Sequence, residues 1–174
     1  NRRQFLPTIN VLGLRIQNTT QSEAVEWVLE HADAPRPRQL IFVNPHCVNI
    51  AGHDRPYREA VHSGDLVLAD GNGMQMAGRL LGTPFRQNVN GTDLFPALCR
   101  HPQAAGKLRL FLLGGHPGIA EKVADWVRAY APGVIIAGVQ DGFFKPDEQD
   151  AVIDHINDSK ANVLLVAMGG FVVE

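Results

Sequence analysis

The chain has few cysteines, and their arrangement does not match a disulfide framework. Its 174 residues include two, Cys47 and Cys99, whose spacing also fails to match a zinc site, so we expect free thiols and a reducing compartment. The chain also lacks an apolar run near the roughly 18 residues that a transmembrane helix needs, and its first ten residues do not form a signal peptide. These absences predict a soluble chain, which can still dock on a membrane surface.

A surplus of positive charge is absent as well. The formal net charge is −2, so we expect no nucleic-acid partner. The basic residues nevertheless comprise twelve arginines against four lysines, and the planar guanidinium group favours recognition of phosphate or carboxylate. Repeats, low-complexity tracts and domain linkers are missing, and a hydrophobic content of 45% with 20% charged residues is ordinary for a globular protein. The sequence therefore predicts one domain over residues 1–174.

Strand-like and helix-like segments alternate along the chain. Residues 9–18 alternate around Gly13, which predicts a small β-hairpin. Patterns of apolar residues predict strands at 39–44, 65–70, 108–115, 134–139 and 161–170, and helices at 19–32, 55–64, 73–82, 91–102, 118–133 and 147–159. We expect Thr92 or Asp93 near the cap of the helix at 91–102. Because short, glycine-rich connections separate the later segments, the sequence predicts an α/β fold: a small N-terminal β-hairpin, then a Rossmann-like, mainly parallel sheet with helices on both faces.

Five junctions follow the predicted strands at the edge where open α/β sheets bind ligands. They are residues 44–46, 70–73, 114–118, 140–144 and 168–170. The third, in "FLLGGHPG", lacks the glycine spacing of a dinucleotide fingerprint and the Lys-Ser/Thr of a P-loop. A nicotinamide-dependent oxidoreductase is therefore disfavoured. A nucleotide diphosphate or sugar nucleotide remains open, and so does a simple tight turn.

Asp70 ends an apolar strand and is followed by two glycines, Gly71 and Gly73. An aspartate in this setting often only closes a turn by hydrogen bonding to its own backbone. Alternatively, the glycines remove side chains from both sides and let a ligand approach a carboxylate in the binding crevice. As a general base, Asp70 would need a substrate hydroxyl within hydrogen-bond reach.

Other candidate groups carry weaker signals. None of the seven histidines has a partner at metal-ligand spacing, so no metal site is predicted, although His46 and His116 lie at the inferred ligand edge. Arg79 and Arg86 flank the "LLGTP" turn, where they would either bind phosphate or remain solvated. Cys47 directly follows His46, and sequence neighbours do not face each other, which disfavours a catalytic cysteine.

Six motifs in one order resemble the WecG/TagA/CpsF glycosyltransferases, glycosyltransferase family 26. They are "VNPHCVNIA", "DLVLADGNGMQMAGRLLGTP", "VNGTDLFPAL", "LRLFLLGGHPGIAEKVA", "PGVIIAGVQDGFF" and "ANVLLVAMG", over roughly residues 40–170. The resemblance implies a bacterial, inverting enzyme of cell-surface polysaccharide synthesis that needs no cofactor or essential metal. It would transfer a hexose-type sugar, such as N-acetylmannosamine or its uronic acid, from a UDP-sugar to a polyprenyl-diphosphate-linked acceptor. Its location would be cytoplasmic, peripheral on the inner face of the plasma membrane.

The resemblance also assigns roles to residues. It implies Asp70 as the general base, Asn44 on the donor-sugar side and the Gly114–Gly115 loop near the nucleotide. The full set of implied substrate-binding residues is Asn44, Gly71, Asn72, Gly73, Arg86, Asn88, Gly91, Asp93, Gly114, Gly115, Asp141, Gly142, Phe143, Gly169 and Glu174. The family's membrane-associating C-terminal segment is absent, so residues 1–174 are expected to be the catalytic core. A non-catalytic module that binds nucleotides or sugar nucleotides is the rival interpretation, and homo-oligomer formation is left open.

Overall fold

A computed structural model of the protein describes residues 6–169. The strands are β1 Thr8–Val11, β2 Leu14–Gln17, β3 Leu40–Val43, β4 Leu66–Ala69, β5 Arg109–Gly114, β6 Ile135–Gln140 and β7 Val163–Ala167. The helices are α1 Gln21–His31, α2 Pro45–His53, α3 Arg55–His62, α4 Asn72–Leu80, α5 Gly91–Arg100, α6 Ile119–Tyr130 and α7 Gln149–Asp158, the last preceded by a 3-10 turn at Pro146–Glu148. The predicted α/β fold with mainly parallel strands and an N-terminal hairpin is confirmed.

The chain divides into two compact units, and the boundary between Pro96 and Ala97 falls inside α5. In the first unit, β1 and β2 form the antiparallel hairpin and β3 pairs in parallel with β4. All four residues of β4 are buried. Because neighbouring side chains of a strand point to opposite faces, both faces of β4 are covered. The hairpin contributes Ile9, Val11, Leu14 and Ile16 to the core that contains Val67 and Ala69.

The second unit is built on a three-stranded parallel sheet in the order β6-β5-β7. Residues 110–114 of the central strand β5 are all buried, which requires cover on both of its faces. Phe111 and Leu113 pack against Val152 of α7. Opposite Phe111, Gly138 of β6 leaves room for the aromatic ring, which a Cβ atom at that position would contact. Because all three strands are parallel, their carboxyl ends lie along one edge.

Two helices begin with an asparagine cap. Residues 45–53 form helix α2, which was not predicted; only its first two residues belonged to a predicted junction. Helix α5 is capped by Asn90, since its Oδ1 accepts a hydrogen bond from Asp93 N at 2.8 Å, and Asp93 lies near the cap, in the first turn, as predicted. Both starts carry an asparagine in the capping position, a residue whose short side chain reaches the first backbone N–H groups of a helix.

Candidate active site

The strand ends of the first unit bring two predicted residues to one edge. Val43 of β3 is the register partner of Ala69 of β4, so the next residues along each strand, Asn44 and Asp70, also lie at neighbouring positions. Asp70 N donates a hydrogen bond to Val43 O at 2.9 Å. The parallel pairing thereby fixes the backbone of Asp70 beside the start of α2.

Asn44 is the N-cap of α2. Its backbone is extended, and its Oδ1 accepts a hydrogen bond from Cys47 N at 3.0 Å. Pro45 follows at the first helical position, where its missing N–H costs nothing. The cap holds the Asn44 amide in one orientation, and within residues 6–169 its Nδ2 has no hydrogen-bond partner. This amide nitrogen is therefore available as a donor to a ligand.

The Asp70 carboxylate is half-buried. Within the part of the chain that the structure describes, it has no hydrogen-bond donor and no cationic partner. Burial raises the pKa of the Asp70 carboxyl above its usual value, because desolvation disfavours the charged form. The result is a carboxylate with free lone pairs and increased affinity for a proton.

The loop after Asp70 depends on two glycines for different reasons. Gly71, the N-cap of α4, has φ +92° and ψ 163°, a conformation that other residues rarely adopt. A Cβ atom on Gly73 would meet the ring of Pro45, so this glycine lets the starts of α4 and α2 approach each other. Asn72, the first residue of α4, is exposed.

Asn88 supports this loop from the segment after α4. Its Oδ1 accepts a hydrogen bond from Gly71 N at 2.7 Å, and Val89 N donates to Ala69 O at 3.3 Å. The backbone on both sides of Asp70 is thus held by residues 88 and 89. A direct contact between Asn88 and a substrate stays a prediction, and its oxygen already has this structural partner.

Arg86 forms an ion pair with Glu23 of α1. Its NH1 lies 2.9 Å and 2.8 Å from the two carboxylate oxygens. Burial alone would raise the pKa of Glu23, but hydrogen bonds from Arg86, the Thr19 hydroxyl and Thr20 N lower it to about 2. The predicted contact between Arg86 and phosphate would require this pair to open.

Gly91 and Asp93 lie in the first turn of α5. Asp93 Oδ2 accepts a hydrogen bond from Asn90 Nδ2 at 2.7 Å, which completes a reciprocal cap. A Cβ atom on Gly91 would lie 3.6 Å from the ring of Phe42, so this residue packs close to the end of β3. In the described structure both residues belong to the first turn of α5, and their contacts with a substrate stay a prediction.

The three strand ends of the second unit meet through backbone hydrogen bonds. Gly115 N donates to Ala167 O at 3.1 Å, and Gly142 N donates to Gly115 O at 2.9 Å. Gly114 has φ +134°, and a Cβ atom there would collide with the Ala167 carbonyl group. The predicted residues of these junctions are therefore brought together, with Gly169 following two residues after β7.

An exposed aromatic pair lies at this edge. Phe143 stacks on His116 with ring centroids 4.4 Å apart and planes 16° apart, and Phe143 is 62% exposed. Asp141 orders the turn, because its Oδ1 accepts a hydrogen bond from Phe143 N at 2.8 Å. His116 and Phe143 were both predicted at the ligand edge, but their stacking was not, since pairing across 27 residues leaves no local signal. The pair offers a flat surface for a planar ring.

The remaining predictions concern Glu174, metal ligands and membrane-spanning helices. Glu174 lies outside the described residues. Across residues 6–169, no three His, Cys, Asp or Glu side chains are grouped so that they could hold a metal ion. No helix in that range is both long and apolar enough to cross a membrane.

Glycine-rich loops at the carboxyl ends of parallel strands are the places where open α/β proteins bind nucleotides and related ligands. The chain belongs to the WecG/TagA/CpsF family of glycosyl transferases, whose family model matches residues 9–171. The predicted family membership is thereby confirmed.

Two curated relatives share one name, N-acetylglucosaminyldiphosphoundecaprenol N-acetyl-beta-D-mannosaminyltransferase. The protein of Bacillus spizizenii strain W23 is 31% identical over 130 residues, which cover 75% of this chain and 49% of the relative. The protein of Bacillus subtilis strain 168 is 28% identical over 165 residues, which cover 94% of this chain and 63% of the relative. The chain thus spans about half the length of the first relative and 63% of the length of the second.

Proposed function

We propose that this chain is the core of an inverting glycosyltransferase in which Asp70 is the general base. The observation that carries the proposal is the half-buried Asp70 carboxylate, which has no partner among residues 6–169 and an increased pKa. The donor is a UDP-sugar, and the acceptor is a sugar linked to a polyprenyl diphosphate. The shared name of the relatives supports N-acetylmannosamine as the transferred sugar and a lipid-linked N-acetylglucosamine as the acceptor.

The chemistry follows from this assignment. Asp70 takes the proton of an acceptor hydroxyl while that oxygen attacks the anomeric carbon of the donor. The new glycosidic bond forms as the bond to UDP breaks on the opposite face, and UDP leaves with the electron pair, so the anomeric centre is inverted. The raised pKa of Asp70 makes it a better proton acceptor near neutral pH. Asn44 Nδ2 is the donor available to orient a sugar hydroxyl.

We assign the nucleotide to the strand ends of the second unit. Gly118, the N-cap of α6, provides no side-chain cap for the first N–H groups of that helix. Helix N-termini with free N–H groups favour phosphate, which fits a diphosphate leaving group. The exposed ring of Phe143, backed by His116, fits a nucleobase by stacking.

The experiment is Asp70→Asn, with donor binding and sugar transfer measured separately. Titration calorimetry with UDP-sugars should show binding close to that of the parent chain, because the change keeps the size of the side chain. Transfer to a lipid-diphosphate-linked acceptor should fall by a factor of about 100 or more, the usual contribution of a general base. Asp150→Asn, which changes an exposed acid on α7, is the matched control.

Unchanged transfer by Asp70→Asn would remove Asp70 as the base. Binding of UDP-sugars without any transfer by the parent chain would instead support the non-catalytic binding module. Because the acceptor is a lipid, the proposed place of reaction is the inner face of the plasma membrane.

A further inference from the structure

An exposed apolar strip runs along α4, away from the Asp70 loop. Met76 and Leu80 are four residues apart and therefore lie on one side of the helix, where they are 62% and 82% exposed. Leu81, directly after the helix, is 50% exposed. The helix packs on the first unit through Met74 and Gly78, so packing does not account for the strip. A contiguous group of large exposed apolar side chains is typical of an interaction surface.

The strip carries one exposed cation, Arg79. Residues 71–92 contain two arginines, Arg79 and Arg86, and are flanked by the acids Asp70 and Asp93. Arg86 is paired with Glu23. Arg79 is exposed, and the structure gives it no acidic partner within residues 6–169. Exposed apolar side chains beside an unpaired cation are complementary to an anionic lipid surface.

The helix that carries the strip starts at the candidate site. Gly73, three residues before Met76, packs against Pro45 at the start of α2. Gly71 caps α4 directly after Asp70. A lipid-linked acceptor whose sugar hydroxyl reaches Asp70 keeps its hydrocarbon chain in the membrane. The surface next to the Asp70 loop must then lie close to that membrane.

We propose that Met76, Leu80 and Leu81, together with Arg79, form a surface that docks on an anionic membrane. The three apolar side chains enter the interfacial region of the bilayer, and the guanidinium group of Arg79 binds lipid phosphate. The proposal rests on the proposed function, because the lipid-linked acceptor is what brings the chain to a membrane. A second copy of the chain is the competing occupant.

Co-sedimentation of the chain with vesicles tests the proposal. Vesicles of phosphatidylcholine alone are compared with vesicles that also contain phosphatidylglycerol. The parent should sediment with the anionic vesicles, and the double variant Met76→Gln, Leu80→Gln should bind at least about tenfold more weakly, because two apolar side chains no longer enter the bilayer. Arg79→Gln should weaken binding to anionic vesicles and leave the neutral ones unaffected.

The matched control is Ile153→Gln, which changes an apolar side chain that is 44% exposed on α7. It should bind vesicles as the parent does, and circular dichroism verifies that every variant is folded. Failure of the parent to sediment with anionic vesicles, or equal sedimentation of the double variant, would overturn the proposal. A parent dimer in solution that becomes monomeric in the double variant would assign the strip to a second copy instead. The vesicles contain no donor or acceptor, so absence of sugar transfer would count against the proposed function alone.

Discussion

At the scale of single residues, two carboxylates of the first unit show opposite behaviour. Glu23 accepts hydrogen bonds from Thr19, Thr20 and Arg86, and these outweigh burial and lower its pKa to about 2. Asp70 is half-buried without such donors among the described residues, and burial raises its pKa. A carboxylate that is desolvated but not paired stabilises the fold poorly and is well suited to accept a proton. This contrast separates a structural acid from a candidate base.

Asp70→Asn is expected to raise the unfolding temperature at pH 7. Since the folded-state pKa of Asp70 lies above its ordinary value of 3.8, the folded chain binds this proton more tightly than the unfolded chain. Stability therefore falls as pH rises from 3.8 through the raised pKa and stays lower above it. Asparagine removes this loss, so thermal unfolding followed by circular dichroism should show a gain at pH 7 and none below pH 3.8. A lower unfolding temperature at pH 7 would contradict the burial of an unpaired charge.

Asn88 is expected to act on Asp70 through Gly71. Asn88→Ala removes the acceptor for Gly71 N and should cost about 1 kcal/mol of stability. It should lower kcat more than it changes donor affinity, because the Asp70 loop loses its support. Asn88→Asp keeps an oxygen acceptor, so stability should recover, while its negative charge should move the acidic limb of the pH–rate profile to higher pH. A loss of donor affinity in both variants with kcat unchanged would make Asn88 a substrate contact.

At the scale of elements, the segment 83–89 links the start of α1 to the Asp70 loop. Arg86 N donates to Asn18 Oδ1 at 2.7 Å, and Gln21 N donates to Gln87 Oε1 at 2.9 Å. The Arg86–Glu23 ion pair adds a contact to the capping box of α1, in which Glu23 also participates. From this anchor the chain continues directly to Asn88, which binds Gly71. The cap of α1 therefore contributes to the position of the candidate base.

A double-mutant cycle on Glu23 and Arg86 tests this linkage. Glu23→Gln and Arg86→Gln should each lower the free energy of unfolding by about 1 kcal/mol, a value that allows for the partial exposure of both side chains. The double variant should lose less than the sum, because the pair is broken only once. Since the pKa of Glu23 is depressed, its contribution should be present above pH 4.5 and be lost as pH falls towards about 2. Weaker UDP binding by Arg86→Gln with unchanged stability would instead support the predicted phosphate contact.

Local patterns explain which elements were predictable. The hairpin follows from alternating apolar residues and strand β4 from a short apolar run. The location of Asn44 and Asp70 at one edge follows from parallel pairing. Helix α2 was missed although Asn44 and Pro45 form a typical helix start. The partner of Arg86 was not predictable, since Glu23 lies 63 residues away and its pairing depends on tertiary packing.

At the scale of the whole molecule, the candidate groups are shared between two compact units. The first contains Asp70 and Asn44 at the ends of β3 and β4. The second contains the glycine-rich junctions and the exposed Phe143 at the ends of β5, β6 and β7. Each unit has its own parallel strands and its own core cluster, so ligand binding to one unit can be followed separately from ligand binding to the other.

We expect UDP to protect the second unit. Hydrogen exchange monitored by mass spectrometry should slow in residues 114–118 and 140–144 when UDP is added, because the proposed diphosphate and nucleobase contacts lie there. At a UDP concentration of 100 Kd, binding should add about 2.7 kcal/mol to the free energy of unfolding of that unit.

Phe143→Ala should weaken UDP binding by about tenfold or more, since stacking on one base contributes about 1–3 kcal/mol. Tyr130→Ala, which disrupts the stacked pair of Trp126 and Tyr130 on α6, is the matched control and should bind UDP as the parent does. Protection confined to residues 44–46 and 70–73, or equal loss of binding in both variants, would show that the nucleotide does not stack on Phe143.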